Sequence, residues 1–150
     1  MLGEPPSTAA GGPISYSIFQ LARAHRAAAG VLLRELGIYP GQELLLMQLW
    51  DKDHRTQTEL LRALDLDAST VTRMVTRLER QDLVRREVST RDRRAVIVSL
   101  TPRGEALRGA VRRMWAELEA TTTRGWSEQD RDDGLRMLRR ITKGLAGPED

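Results

Sequence analysis

Positions 69 to 77 read Ser-Thr-Val-Thr-Arg-Met-Val-Thr-Arg, and positions 91 to 94 read Arg-Asp-Arg-Arg. Neither run offers a nucleophile with a base beside it. Both suit contact with a polyanion. The small hydroxyls of Ser69, Thr70, Thr72 and Thr76 allow close approach to phosphates or base edges. The guanidinium of Arg73 matches the N7 and O6 acceptors of guanine, while Arg77, Arg80, Arg85 and Arg86 read as solvated surface or phosphate contacts. Arg91, Asp92, Arg93 and Arg94 form a compact basic cluster of the kind a narrow, electronegative groove attracts. Thr56, Gln57 and Thr58 add a polar group suited to a phosphate backbone. From Arg73 to Arg94 eight arginines face four acids, so this stretch is locally basic in a chain of formal charge +3.

Composition removes other chemistries. There is no cysteine, which excludes disulfides, cysteine–zinc sites and thiol-based redox sensing. The two histidines, His25 and His54, are far apart in sequence. His54 with Asp51 and Asp53 is a loose acidic group that reads as a solvated turn, so no metal and no cofactor are expected. No glycine fingerprint, phosphate loop or catalytic triad is present, and the chain is not expected to be an enzyme. No apolar run reaches the length of about 20 residues that spans a bilayer. The N-terminal MLGEPPSTAAGGP has neither a basic start nor an apolar core. It reads as a flexible arm over 1–13, and the expected location is the cytoplasm.

The elements that must position these residues follow from periodicity. Ile14, Ile18, Leu21, Ala28, Val31, Leu32 and Leu36 recur at three- and four-residue steps, predicting a helix over 14–36 closed by Gly37. A second helix over 41–50 is apolar nearly all round, with Leu44, Leu45, Leu46, Met47 and Leu49, and reads as buried. Thr56 or Thr58 caps a short third helix carrying Leu60, Leu61 and Leu64. A fourth runs from Ala68 to Gln81, capped by Asp67 or Ser69, with Val71, Met74, Val75 and Leu78 on its apolar face.

The period then changes to two, predicting strands over 83–88 and 95–100 around the polar tip 89–94. Thr101 and Pro102 open a helix to about Ala120, and Ser127 to Asp130 open a last one bearing Leu135, Leu138, Ile141 and Leu145. The order helix, turn, helix, hairpin is that of a DNA reader. The fourth helix would place its N-terminal end in a major groove, where its amide groups attract phosphate. Asp92 is expected to pair with a neighbouring arginine and so hold the tip.

The runs STVTRMVTRLERQDLVRR and STRDRRAVIVSLTPRGE resemble the MarR family of winged-helix regulators. The resemblance implies a mostly α fold with a small β wing, a winged helix-turn-helix dimerised through its N- and C-terminal helices. It implies one domain over 14–150, with a DNA-binding lobe at 40–101 and dimerisation helices at 14–37 and 102–146. Asp92 and Arg94 match the family's Asp-x-Arg wing. Where the family usually has Gly before the first wing strand, this chain has Asp82, which tolerates a left-handed backbone better than most residues. The resemblance further implies a cleft for a small, often aromatic effector, for which Tyr16, Phe19, His25, Tyr39, Trp50 and Trp115 are candidates. The plainer reading makes these aromatics core and His25 a surface or interface residue.

The expected function is therefore sequence-specific binding of double-stranded DNA as a homodimer, repressing from an inverted repeat, with a small molecule as candidate releasing signal. A non-specific architectural DNA-binding protein and a protein-binding winged helix are the alternatives. The first would call for many lysines, and only Lys52 and Lys143 exist.

Overall fold

The computed structural model describes residues 6–147. Positions 1–5 of the expected arm and 148–150 of the expected domain lie outside the described residues. Two compact units divide the chain, Met1–Trp115 and Ala116–Asp150.

In the first unit a 3-10 turn, Ser7–Ala9, precedes α1 (Pro13–Glu35), α2 (Gln42–Asp51), β1 (Arg55–Thr56), α3 (Gln57–Leu64) and α4 (Ala68–Arg80). Strands β2 (Val84–Val88) and β3 (Val96–Leu100) follow, then α5 (Pro102–Ala106) and the start of α6 (Arg108–Thr122). The sheet is antiparallel, in the order β1-β3-β2. Its core is built from Leu33, Leu45, Leu46, Leu49, Leu60, Val71, Val75, Leu78 and Val98, all buried. One face of α4 thus seats against the lobe and its polar face is left outward.

Three helices of this unit end the same way. After α1, the amide of Gly37 bonds to Arg34 O at 3.0 Å and that of Ile38 to Leu33 O at 3.1 Å. After α3, Leu66 N reaches Leu61 O at 3.0 Å; after α4, Leu83 N reaches Leu78 O at 2.9 Å. Each closure needs one left-handed residue, supplied by Gly37 (φ 73°), Asp65 (φ 51°) and Asp82 (φ 57°). Asp82 takes the conformation that a glycine would take more cheaply.

Four details depart from the sequence expectations. Leu44 is 41% exposed, on a narrow strip of α2 that it shares with Asp51, while the rest of the helix is buried or half-buried. β1 was not expected; its two residues pair Arg55 with Val98 and Thr56 with Ile97. Leu83 belongs to the α4 closure, and β2 begins after it. The helix expected from Thr101 is interrupted at Leu107, where a ψ of −18° flattens the turn between α5 and α6.

The wing is fastened to α5 at a single close approach. A Cβ on Gly104 would lie 2.0 Å from the carbonyl oxygen of Leu83 and 3.2 Å from a Leu100 methyl. Around this contact Thr101 N donates to Leu83 O at 3.1 Å, and the Thr101 hydroxyl donates to Asp82 O at 2.6 Å while accepting from Gly104 N at 3.0 Å. The Trp50 indole donates to Gly104 O at 3.2 Å.

The second unit completes α6. Gly125 turns the chain at φ 80°, and α7 (Glu128–Ala146) opens with a capping box between Ser127 and Asp130. Trp126 lies over Gly134, where a Cβ would meet the indole at 2.7 Å. Leu135, Leu138 and Leu145 of α7 are each at least half exposed.

Gly104→Ala should destabilise the protein by roughly 1–3 kcal/mol, since backbone atoms must move to admit the methyl. Gly109→Ala, at an α6 position with no close neighbour to its Cβ beyond a flexible arginine tip at 3.6 Å, should be neutral or stabilising by up to about 1 kcal/mol. Urea unfolding of both variants checks the contrast.

Candidate nucleic-acid interface

Of the three residues expected at a phosphate backbone, Thr56 is committed to structure. Its hydroxyl accepts from Glu59 N at 3.1 Å, while Glu59 accepts from Thr56 N at 2.7 Å, a reciprocal cap on α3. Gln57 is half-buried, with its side-chain nitrogen enclosed and unpaired. Thr58 is exposed.

At the start of α4, Asp67 organises the face expected to read bases. Its carboxylate accepts from Thr70 N at 2.9 Å, from the Ser69 hydroxyl at 2.6 Å and from the Thr70 hydroxyl at 2.7 Å. Thr72 and Thr76 donate to carbonyls one turn back, Ala68 O and Thr72 O, each at 2.8 Å. Every one of these hydroxyls therefore spends its proton inside the helix and offers outward only acceptor lone pairs. Such groups match the amino groups of adenine or cytosine, not phosphate oxygens. The expected pull of this helix terminus on phosphate is likewise altered, since the carboxylate of Asp67 already occupies it. Arg73 and Arg77 are exposed, and Arg73 donates to the Thr70 hydroxyl at 3.3 Å.

The hairpin tip is shaped by bonds to its backbone. Ser89, itself buried, accepts from Arg91 N at 3.2 Å and Asp92 N at 3.3 Å; Asp92 accepts from Arg94 N at 2.9 Å. Ser89 N and Ala95 O close the neck at 2.9 Å. Asp92 holds the loop as expected, but through a backbone amide and not an arginine side chain, because the turn brings that amide to it first. Arg91, Arg93 and Arg94 are exposed.

One arginine of the basic stretch is withheld. Arg86 Nε and Nη2 lie 3.0 and 2.5 Å from Glu79 Oε2, and Arg86 N donates to Glu79 Oε1 at 3.2 Å. Sequence reasoning placed Arg86 on the solvated surface or against phosphate and missed its pairing with Glu79; Arg85, next to it on the strand, is exposed.

The six cleft candidates do not come together. Trp50 and Trp115 share a concavity of about 230 Å³ with Met47, Asp51, Arg108, Val111 and Arg112. Trp115 Nε1 is itself enclosed, away from solvent and without a partner. Tyr16 and Phe19 form a tilted ring pair on α1, 6.1 Å between centroids. Tyr39 is exposed and His25 half-buried. His54 pairs with Asp53 at 3.3 Å, and Asp53 also accepts from Leu100 N at 2.9 Å, tying the turn to β3. Among the described residues no acidic or histidine group has the make-up of a metal site.

The family model described as "MarR family" matches residues 38–96, from the link after α1 to the first residue of β3. Over 89% of this chain and 96% of its own, a MarR transcriptional regulator from Methanosarcina mazei superposes with TM-score 0.77 at 26% identity. Over residues 38–96 the chain matches the MarR family, and its fold is that of MarR regulators. The organic hydroperoxide resistance transcriptional regulator of Bacillus subtilis is 39% identical over 77 residues, 51% of this chain and 52% of that protein. The chain thus spans about half the length of the curated relatives it matches. The regulator AbfR, solved bound to DNA, has TM-score 0.70 and 26% identity over 88% of this chain and 90% of its own. These MarR-family relatives are transcription regulators and not enzymes.

The carboxylates that shape the interface titrate low: Asp67 through the Ser69 and Thr70 hydroxyls, Glu79 through Arg86, Glu59 through the Thr56 amide. A folded value below the unfolded one lends stability that is complete above the ordinary carboxylate range, about pH 4–4.5, and is lost as pH falls through the lowered values. Burial raises Glu43 and opposes this in part. Thermal melts from pH 7 to 3 should fall mainly below about pH 4.5, and Asp67→Asn should flatten that limb.

Proposed function

We propose that this protein is a MarR-type transcription regulator that binds double-stranded DNA sequence-specifically as a homodimer, with α4 as recognition helix and the β2–β3 hairpin as wing. What carries the reading is the hairpin tip: three exposed arginines on a loop already locked by its own backbone bonds, in the same compact unit as the outward polar face of α4. Arg91, Arg93 and Arg94 enter a minor groove. Arg73 reaches a guanine edge, and Ser69, Thr70, Thr72 and Thr76 accept from base amino groups. Arg77 and Thr58 contact phosphate.

Dimerisation is supported by the apolar side chains left uncovered on each terminal helix: Ile14, Phe19, Leu21 and Val31 on α1, and Leu135, Leu138 and Leu145 on α7. Two such readers imply an inverted repeat with half-sites about 34 Å apart, and occupation of a promoter would repress it. No helix among the described residues is long and apolar enough to cross a membrane. A protein that works on DNA in this way would act in the cytoplasm. Release by a small molecule is a second reading, favoured by the Trp50–Trp115 concavity. Its apolar walls, with Arg108, Arg112 and Asp51 at the polar edge, suit a flat ligand that carries polar groups. With no cysteine in the chain, a thiol switch is not open to it.

Selection from random duplexes at fixed salt should return an inverted repeat. Arg73→Ala should relax preference at one base pair per half-site, by about 1–3 kcal/mol, whereas Arg94→Ala should weaken binding to all selected sites. A pool that binds without any motif would favour the architectural alternative, and no binding at all the protein-binding one.

A further inference from the structure

The ion pair between Glu79 and Arg86 joins the two elements that the proposed function assigns to different grooves. Glu79 stands in the last turns of α4, and Arg86 in the middle of β2, paired across to Val98. Both oxygens of the carboxylate are used, one on the Arg86 backbone amide and one on two guanidinium nitrogens. The remaining guanidinium nitrogen, Nη1, lies 3.5 Å from the hydroxyl of Thr76, on the α4 face proposed to meet DNA. That hydroxyl donates onward to Thr72 O. A continuous polar chain thus runs from the wing strand to the recognition helix.

Both side chains are about a third exposed. A pair this wet contributes little to global stability, so its larger effects are geometric and electrostatic. The neighbouring pair, Arg85 with Glu87, is nearly twice as exposed and stays within β2. It cannot do the same work.

We propose that Glu79 is a positioning and specificity-determining residue: it sets the angle between recognition helix and wing, and it withholds the Arg86 charge from DNA. The inference rests on the DNA-binding reading above. An arginine freed beside Thr76 would meet any phosphate backbone regardless of sequence. Glu79 therefore restrains non-specific binding and sharpens the difference between operator and bulk duplex.

The test measures binding of the full-length protein to its selected site and to a scrambled duplex across a salt series. Glu79→Gln keeps the shape and removes the charge. It should raise scrambled-duplex affinity severalfold, steepen the slope of log K against log salt by about 0.9 for one added phosphate contact, and lower the specific-to-non-specific ratio about three- to tenfold. Adding Arg86→Gln to Glu79→Gln should return the salt slope to that of the wild type while leaving selectivity impaired, because the geometric link stays broken. Unchanged slope and ratio in a folded Glu79→Gln protein would overturn the proposal. So would a parallel fall on both duplexes, which is what a merely structural role gives. A wild-type protein with no salt-dependent duplex binding would instead overturn the DNA-binding reading, and this inference with it.

Discussion

The structure turns on a volume that no side chain can enter. Because residue 104 has no Cβ, the backbone of α5 lies against the carbonyl of Leu83, and four polar contacts converge on that spot. Asp82 turns the chain out of α4, Leu83 closes the helix, and β2 can start only from the position they set. Thr101, at the other end of the hairpin, is tied to both residues. The base of the wing is therefore pinned on both strands to the helix that follows it, and through Trp50 to α2. Close packing of this kind resists gradual adjustment; a displaced neighbour is felt at once.

Above that base, charge is distributed by function. The acids Asp67, Glu79 and Asp92 are each engaged by backbone amides, hydroxyls or one arginine. Arg73, Arg77, Arg91, Arg93 and Arg94 face out. A net charge of only +3 understates the local balance at the reading surface, where eight arginines between positions 73 and 94 face four acids.

Much of the architecture was legible from periodicity, since α1, α4 and α7 each carry apolar residues at helical spacing with recognisable caps. What escaped has physical reasons. β1 has two residues, too few for any pattern, and exists because β3 had a free edge. Leu44 looks like its buried neighbours by composition, and only its angular position on α2 exposes it. At the candidate interface the residue types and their grouping were readable, whereas hydrogen-bond polarity was not. A serine or threonine in a sequence is donor and acceptor at once until Asp67 takes its proton. Arg85 and Arg86 are adjacent and chemically alike; their different fates depend on α4 folding back over β2. Aromatic identity says nothing about neighbours, so six candidate cleft residues resolve into one shared concavity and scattered positions on α1 and its following link.

The locked hairpin tip has an entropic consequence. Fixing a loop of several residues costs about 1–2 kcal/mol per residue in lost backbone freedom. Here Ser89 and Asp92 impose that loss during folding, where the core of the whole unit offsets it. A groove that receives the tip then needs to still only the side-chain rotamers of three arginines. Association can be fast and reversible without becoming weak, and its rate is governed by how often the two molecules meet in register, not by how long a loose loop takes to find its shape.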